Sequence, residues 1–452
     1  RGRKDGLAIS LLGRRWRKVI WLRNALLYDG KTLRDGRWDI CIEGDKIVEI
    51  VPGEGQKAAL NDKGTDCIDY DLEGRLVCPG FVDIHVHFRD PGQTWREDID
   101  SGSKAAAAGG FTHVVAMPNT DPPIDDPSGV RYVAEKGRQT KGAVVLPAGA
   151  VTVGRQGKMI TEMIGMVKEG AMLFTDDGSP VLSAKAMRIA LLYLKDLGIP
   201  LMEHPEDLSL SEGGQMNEGR ASALCGLKGI PRSSEIIDVN RAIALCEETK
   251  GRLHLTHIST REALESIRRA KEKGLNLTCD VTPHHLVFDD EMIVKSGYSS
   301  AFKVNPPLRT KDDIEALWEG LKDGTVDAIA TDHAPYHIDE KDLTFEEAKY
   351  GIASLECAVA VVIDEWHKRG KPFGLSKLLG LFSSGPGGII GMDRTIKVGS
   401  KADMTVLDLN MEKKVEVRSW KSKARISPYD GLALRGWPVM TVVAGKIRHE
   451  LQ

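Results

Sequence analysis

Between about residues 79 and 392 the chain alternates strand-like apolar segments with helix-like amphipathic ones, and this alternation restricts the fold more than any other feature. The strand-like segments are 76–87, 112–117, 143–148, 171–175, 200–203, 252–256, 276–281 and 326–330. Helical patterns such as 101–108, 183–194, 233–246 and 261–273 separate most of them. Strands alternating with helices predict parallel βαβ units, and eight such units predict an α/β fold of the TIM-like (β/α)8 barrel type. The chain ends differ: 19–22, 39–43, 46–51, 401–409 and 439–448 read as strands, punctuated by turns at Asp29-Gly30, Asp35-Gly36 and Glu43-Gly44. Both ends together predict one small β-sandwich domain. The chain thus divides into a basic, disordered extension at 1–18, sandwich parts at 19–78 and 392–452, and a (β/α)8 barrel at 79–391. Residues 206–232, rich in Gly and Ser, read as a loop insertion. Gly385-Pro-Gly-Gly388 lacks the Lys-Ser/Thr and preceding strand of a phosphate loop and reads as a turn. The charged stretch 340–349 reads as a solvated loop, near enough to Asp332 to serve as a lid.

A length of 452 residues suits a large α/β unit with an accessory domain. A net charge of -3 argues against nucleic acid or a membrane surface as partner, and no apolar run is long enough to span a bilayer. The seven cysteines are scattered, odd in number and never in Cys-x-x-Cys spacing, which predicts a reducing, cytoplasmic setting.

Barrel enzymes carry their chemistry at the C-terminal ends of the strands. Here those ends hold His85, His87 and Arg89, then Asn119, Asp176 and Asp177, His204, His254 and His257, His284 and His285, and Asp332 and His333. A chance scatter of 12 histidines would not load strand ends so heavily. Period-two alternation places Phe81, Asp83, His85 and His87 on one face, with Val82, Ile84 and Val86 packing against helices on the other. If Leu253 and Leu255 point inward, so does His257, while His254 faces the helices; Asp177 shares a side with Thr175, and Asp176 takes the other. Four histidines and two aspartates suit two zinc-like ions with one bridging carboxylate. Two such ions polarise a carbonyl and lower the pKa of a bound water towards ~7, and Asp332 could move the proton from that water to the leaving nitrogen.

Five motifs occur in order at these strand ends: Pro-Gly-Phe-Val-Asp-x-His-x-His-x-Arg, Met-Pro-Asn-Thr, Thr-Asp-Asp-Gly, Asn-Pro-Pro-Leu-Arg and Thr-Asp-His-Ala-Pro. Together they resemble the class I dihydroorotases of the amidohydrolase superfamily, from about residue 19 to the C-terminus. The stretch 399–408 is similar to the closing sandwich strand of that superfamily. The resemblance implies reversible cyclisation of N-carbamoyl-L-aspartate to L-dihydroorotate in de novo pyrimidine biosynthesis, with two divalent ions, zinc by expectation. It implies His85 and His87 on the first ion, His204 and His257 on the second, Asp177 as bridge, and Asp332 as first-ion ligand and general acid/base acting with a metal-bridged hydroxide. Arg89, Asn119 and Asn305 match substrate-binding positions, and Tyr350 and Gly351 a backbone contact. Arg89 can grip a substrate carboxylate with a bidentate fork. One position departs: the family places a substrate-binding histidine directly after Ala-Pro, where this chain has Tyr336 and then His337. Either residue can fill the role. His284, His285 and His333 read mainly as structural hydrogen-bonders, and His113, His367 and His449 as incidental.

The alternatives are a hydantoinase, dihydropyrimidinase or allantoinase on the same barrel, and a non-catalytic partner of aspartate carbamoyltransferase. The first group typically bridges its metals with a carboxylated lysine, and strand four carries none; non-catalytic homologues lose ligands, and all six remain here. Beyond a small-molecule substrate, a homo-oligomer and a carbamoyltransferase complex both stay open.

Overall fold

The computed structural model describes residues 18–53 and 66–451. The basic extension therefore lies outside the described residues except for Lys18, which opens strand β1. The N-terminal part supplies β1 (Lys18–Tyr28), β2 (Leu33–Glu43), β3 (Lys46–Pro52), β4 (Asp66–Asp71) and β5 (Leu76–Pro79). The middle supplies β6 (Phe81–Val86), β7 (Phe111–Ala116), β8 (Val144–Pro147), β9 (Leu201–Glu203), β10 (Met216–Asn217), β11 (Gly229–Ile230), β12 (Leu253–Leu255), β13 (Leu277–Val281) and β14 (Ala328–Ile329). The C-terminal part adds β15 (Met404–Lys414), β16 (Ala433–Val443) and β17 (Lys446–Glu450). The two ends meet in one sheet of order β17-β16-β15-β5-β1-β2-β3, with β4 beside β1. The seam is the antiparallel pair β5–β15, where Met404 faces Pro79. Ile20, Leu22, Ile40, Val77, Met404 and Val442 share one buried cluster there.

The sequence predicts one strand over 76–87; the structure divides it into β5 in the end sheet and β6 in the parallel layer. Gly80 is the divide, and the close approach of Thr112 requires a glycine there, since a Cβ would lie 2.2 Å from Thr112 Cγ2. The single strand expected at 439–448 is likewise a hairpin, β16 turning into β17 through Ala444-Gly445.

The parallel strands form two arcs, β6-β7-β8 and β14-β13-β12-β9. Between them, the segment expected as the fourth strand pairs only through Phe174, bridged to Gly149 on one side and Leu201 on the other. Met172 donates its N–H to Pro147 and Phe174 donates to Pro200, so both arcs are hydrogen-bonded to this segment. At the opposite edges, Val86 bridges His333. Val82 and Ile84 from one arc and Met202, Ala328 and Ala330 from the other pack in a single cluster with Val115, Met117 and Leu173, so the arcs face each other across a filled interior. Phe81, Val86, Leu253, Leu255 and Leu277 pack outward with the helices.

Two facing rules from the sequence therefore fail. In β6, Val82 and Ile84 face inward rather than towards helices, and the pairing with β7 shifts between Asp83 and Val86. That irregularity lets both His85 and His87 reach the interior although Ile84 does too. In β12, Leu253 and Leu255 face the helices, and His254 turns inward to Thr278 and Asp280. His257 reaches the same interior from beyond the strand end, with φ 40.

The helix Arg261–Glu272 shows how the outer layer forms. Thr260 caps it by accepting from the Ala263 N–H, and Ala263, Leu264, Ile267 and Ala270 form its buried stripe. Each large aliphatic side chain so buried contributes roughly 1.5–3 kcal/mol, and Leu264→Ala would cost about 2–5 kcal/mol. The turn expected at 385–388 is instead the helix Ser384–Ile389. Gly385 serves close packing, since a Cβ would lie 2.0 Å from the Asp327 carbonyl oxygen. The insertion 206–232 holds two short helices, Leu208–Ser211 and Arg220–Cys225, beside the β10–β11 pair. No described helix is long and apolar enough to cross a membrane.

Candidate metal centre and substrate cavity

At the C-terminal ends of the parallel strands, four imidazoles and two carboxylates converge. The Asp177 carboxylate sits in the middle. Its Oδ2 lies 3.2 Å from His85 Nε2 and 3.4 Å from His87 Nε2. Its Oδ1 lies 3.4 Å from both His204 Nδ1 and His257 Nε2. Asp332 Oδ1 is 2.9 Å from His87 Nε2 and 3.5 Å from His85 Nε2. All six residues are buried. Asp176, one residue from the centre, instead accepts from the Thr152 N–H and hydroxyl.

The far nitrogens of these rings decide the tautomers. Thr256 donates its hydroxyl to Asp280 at 3.0 Å, so its oxygen is left to accept from His85 Nδ1 at 2.7 Å. Asn119 Oδ1 accepts from His87 Nδ1 at 2.9 Å, and Glu206 Oε2 accepts from His204 Nε2 at 3.0 Å. Each neutral ring then turns a lone pair, not a proton, towards the carboxylates. His85 Nε2 and Asp177 Oδ1 have no hydrogen-bond partner although buried. Buried lone pairs facing buried carboxylates call for a proton or a metal ion between them. Bonds of about 2.0–2.2 Å to one tetrahedral ion would put ligand atoms about 3.3–3.6 Å apart, near the separations seen. Two ligand sets meet this description, His85 with His87 and Asp332, and His85 with Asp177 and His257; His204 Nδ1 abuts the second at 2.9 Å from His257 Nε2. The residues fit divalent metal ions, with outer partners of the kind that orient metal-bound histidines.

The electrostatics show how strongly the centre draws positive charge. Burial works against charge on Asp177, but His85, His204 and His257 outweigh it and hold its carboxyl well below the usual range. Burial likewise opposes charge on His85, yet Asp177 and Asp332 push it up to about 9. Burial raises and His204 lowers Glu206, which ends at about 2.

Above this centre opens a cavity of about 350 Å³ lined by His87, Asp177, His204, His257 and Asp332. Arg89, Asn119, Asn305, Tyr336, Tyr350 and Gly351 from the sequence reading also line it, and Arg155, Gln93, Arg96 and Lys349 join them. A larger cavity of about 440 Å³ lies beside the helix Arg220–Cys225, but none of its lining residues belongs to the centre. The smaller cavity opens onto the converging histidines and aspartates, and the larger one does not.

His337 does not reach the cavity. Its side chain is 44% exposed and pairs with Asp339 at 3.2 Å. Tyr336 occupies the place instead, its ring 4.6 Å below the Arg89 guanidinium and 4.9 Å from that of Arg96. Gly351 lines the cavity, but its N–H donates to the Lys303 carbonyl and its own carbonyl accepts from Lys341 Nζ. Both backbone groups thus have partners within the protein. His285 bonds to Thr282 and the Pro306 carbonyl, and His333 accepts from the Ser354 and Leu355 N–H groups, both structural roles. His284 is buried with neither ring nitrogen bonded.

Sequence reasoning missed Glu206, Asp280, Thr256 and Arg155. Glu206 follows His204 by two residues, so strand periodicity carried a signal for it; Asp280 faces inward from β13. Arg155 carried none. It enters from the loop after β8 and donates to the carbonyls of Asp176 and Asp177.

A family model described as Dihydro-orotase-like matches residues 74–263. A dihydroorotase of Caldicellulosiruptor saccharolyticus is 40% identical over 95% of this chain and 98% of its own length. One from Aquifex aeolicus is 42% identical over 94% of this chain and 98% of its own length. Among solved structures, an L-hydantoinase (dihydropyrimidinase) from Arthrobacter aurescens is similar with a TM-score of 0.83 at 24% identity, covering 95% of this chain and 96% of that one. Dihydropyrimidinase from Brevibacillus agri NCHU1002 gives a TM-score of 0.79 at 23% identity, covering 96% and 95%. At these identities the structural neighbours speak for the fold alone.

Proposed function

This chain belongs to the dihydroorotase family, and from that premise we propose how its residues divide the work. It is a cyclic amidohydrolase with dihydroorotase activity, the reversible cyclisation of N-carbamoyl-L-aspartate to L-dihydroorotate. The observation that carries the site reading is the Asp177 carboxylate, each of whose oxygens faces its own pair of histidines. In this reading His85, His87 and Asp332 would hold one divalent ion, His204 and His257 would hold a second, and Asp177 would serve both. Imidazole and carboxylate donors in this number suit zinc. When bound, the ions supply Lewis-acid polarisation of the scissile carbonyl and activate the attacking water.

The chain's own groups do the rest. Asp332 takes the proton from the attacking water during hydrolysis and returns it to the leaving ring nitrogen; cyclisation reverses the order. Arg89 binds the substrate carboxylate with its planar fork, held flat by the Tyr336 ring. Asn119 and Asn305 meet the amide edge of the ring. We also read the two arcs as one closed (β/α)8 barrel over about 79–391, flanked by β-rich parts at 19–78 and 392–452. The hydrogen bonds through Phe174 and the Val86–His333 bridge support closure.

Metal analysis of the purified protein, combined with a dihydroorotate hydrolysis assay, tests the reading. Two zinc ions per chain and turnover are expected, with dihydrouracil, which lacks the carboxylate, a poor substrate. One tightly held ion with full activity would overturn the bridged pair. Arg89→Lys keeps the charge but loses the fork, and should cost about 2–4 kcal/mol in kcat/KM. A near-normal value would remove Arg89 from the site.

A further inference from the structure

Resting on the dihydroorotase reading, we propose that Glu206 is a positioning residue that sets the hydrogen-bond polarity of the substrate cavity, turning Asn305 into an acceptor for a substrate N–H while it orients His204. A single oxygen does both. Glu206 Oε2 accepts from His204 Nε2 at 3.0 Å and from Asn305 Nδ2 at 3.0 Å. The side chain is 11% exposed, so water competes little for these bonds.

The direction of each bond follows from the partner. A carboxylate only accepts, so Asn305 must offer its NH2 to Glu206 and leave Oδ1 for the cavity that it lines. Across the cavity the opposite holds. His87 turns Nε2 towards Asp332 and so carries its proton on Nδ1, which occupies the Asn119 carbonyl oxygen and leaves the Asn119 NH2 free. The walls therefore present one amide acceptor and one amide donor. A cyclic ureide, whose ring carries N–H beside C=O, is complementary to that pair; a ring alkylated at that nitrogen is not. Without Glu206 the Asn305 amide can turn over, and the cavity loses its polarity.

The test uses Glu206→Ala, Glu206→Gln, Asn305→Ala and the double variant Glu206→Ala/Asn305→Ala as metal-loaded enzymes. Because one oxygen receives both bonds, the amide oxygen of Gln can replace it. Glu206→Gln should hold KM for dihydroorotate within about threefold of wild type, while Glu206→Ala raises it about tenfold or more. In the Asn305→Ala background, Glu206→Ala should add no more than about twofold, since the two residues act as one unit. A Gln variant as damaged as the Ala variant, or full additivity in the double variant, would overturn the proposal. A second readout needs no turnover: a chelator should strip metal about 10–100 times faster from Glu206→Ala, with Glu206→Gln close to wild type. An unchanged rate sinks the His204 half. Failure of the wild-type enzyme to hydrolyse dihydroorotate would instead count against the functional reading, and the chelator arm would still judge Glu206.

Discussion

Asp176 and Asp177 are neighbours with the same side chain and opposite duties. Asp177 stands between four imidazoles, whereas Asp176 is spent on the Thr152 N–H and hydroxyl. Asp177→Ala should therefore remove at least one ion, and Asp176→Asn, which keeps an acceptor, should keep both. Elemental analysis decides; the reverse pattern would mean that the bridge is misassigned. Tyr336 and His337 separate in the same way. The Tyr336 ring lies between two guanidinium groups, and His337 caps the short helix Ile338–Lys341 from outside the cavity. Tyr336→Leu should lose about 0.5–2 kcal/mol of stacking and raise KM accordingly. His337→Ala should leave KM within about twofold, and a larger effect there than at Tyr336 would return the imidazole to the site.

At the scale of elements, the segment 336–351 is more than a solvated loop. Asp342, Leu343, Thr344, Glu346 and Glu347 are exposed as its composition suggests, but Lys341 is buried. Its Nζ donates to the carbonyls of Lys349 and Gly351 at 3.0 Å and of Lys303 at 3.4 Å. Lys303 answers by donating to the Glu346 carbonyl and lying 4.5 Å over the Tyr350 ring. Arg96 pairs with Glu340 on the cavity side. Two lysines with carbonyl partners thus hold the wall that carries Tyr350 and Gly351. Lys341→Met would leave three carbonyls without their donor, a loss of about 1–3 kcal/mol confined to this segment. Limited proteolysis should then cut within 338–351 faster than in the wild type, and an unchanged cleavage rate would show that the lysine clasps nothing.

For the molecule as a whole, the C-terminal segment is tied to the central α/β part through buried carboxyl groups. Glu97 accepts from the Ser422 hydroxyl at 2.5 Å, and Glu356 accepts from the Ser422 N–H at 3.0 Å. Burial, with Glu97 close by, pushes Glu356 up to about 8 from an ordinary 4.5. Below about 4.5 both folded and unfolded chains carry the proton. Between 4.5 and 8 only the unfolded chain is ionised, so stability falls as pH rises through that window. Glu356→Gln keeps the carbonyl acceptor and removes the titration. Its stability should match wild type near the lower edge and exceed it by about 1–3 kcal/mol near the upper edge. Denaturant unfolding at both pH values measures the gap, and a gap that does not widen would place the titration elsewhere.

The sequence by itself determined the alternation of strands and helices, the strand character of both ends and the identity of the converging histidines and aspartates. These are legible because backbone periodicity is local and because imidazole and carboxylate at successive strand ends have few other uses. Facing and partnership belong to the tertiary structure. The shift in β6 that turns both His85 and His87 inward, and the inward His254, depend on how neighbouring strands register, which no single strand encodes. Thr256 holds His85 from 171 residues away, and Glu206 holds Asn305 from 99. Contacts of that separation exist only once packing has brought the strand ends together, so only the fold could decide which lone pair faces the metal centre and which amide atom faces the substrate.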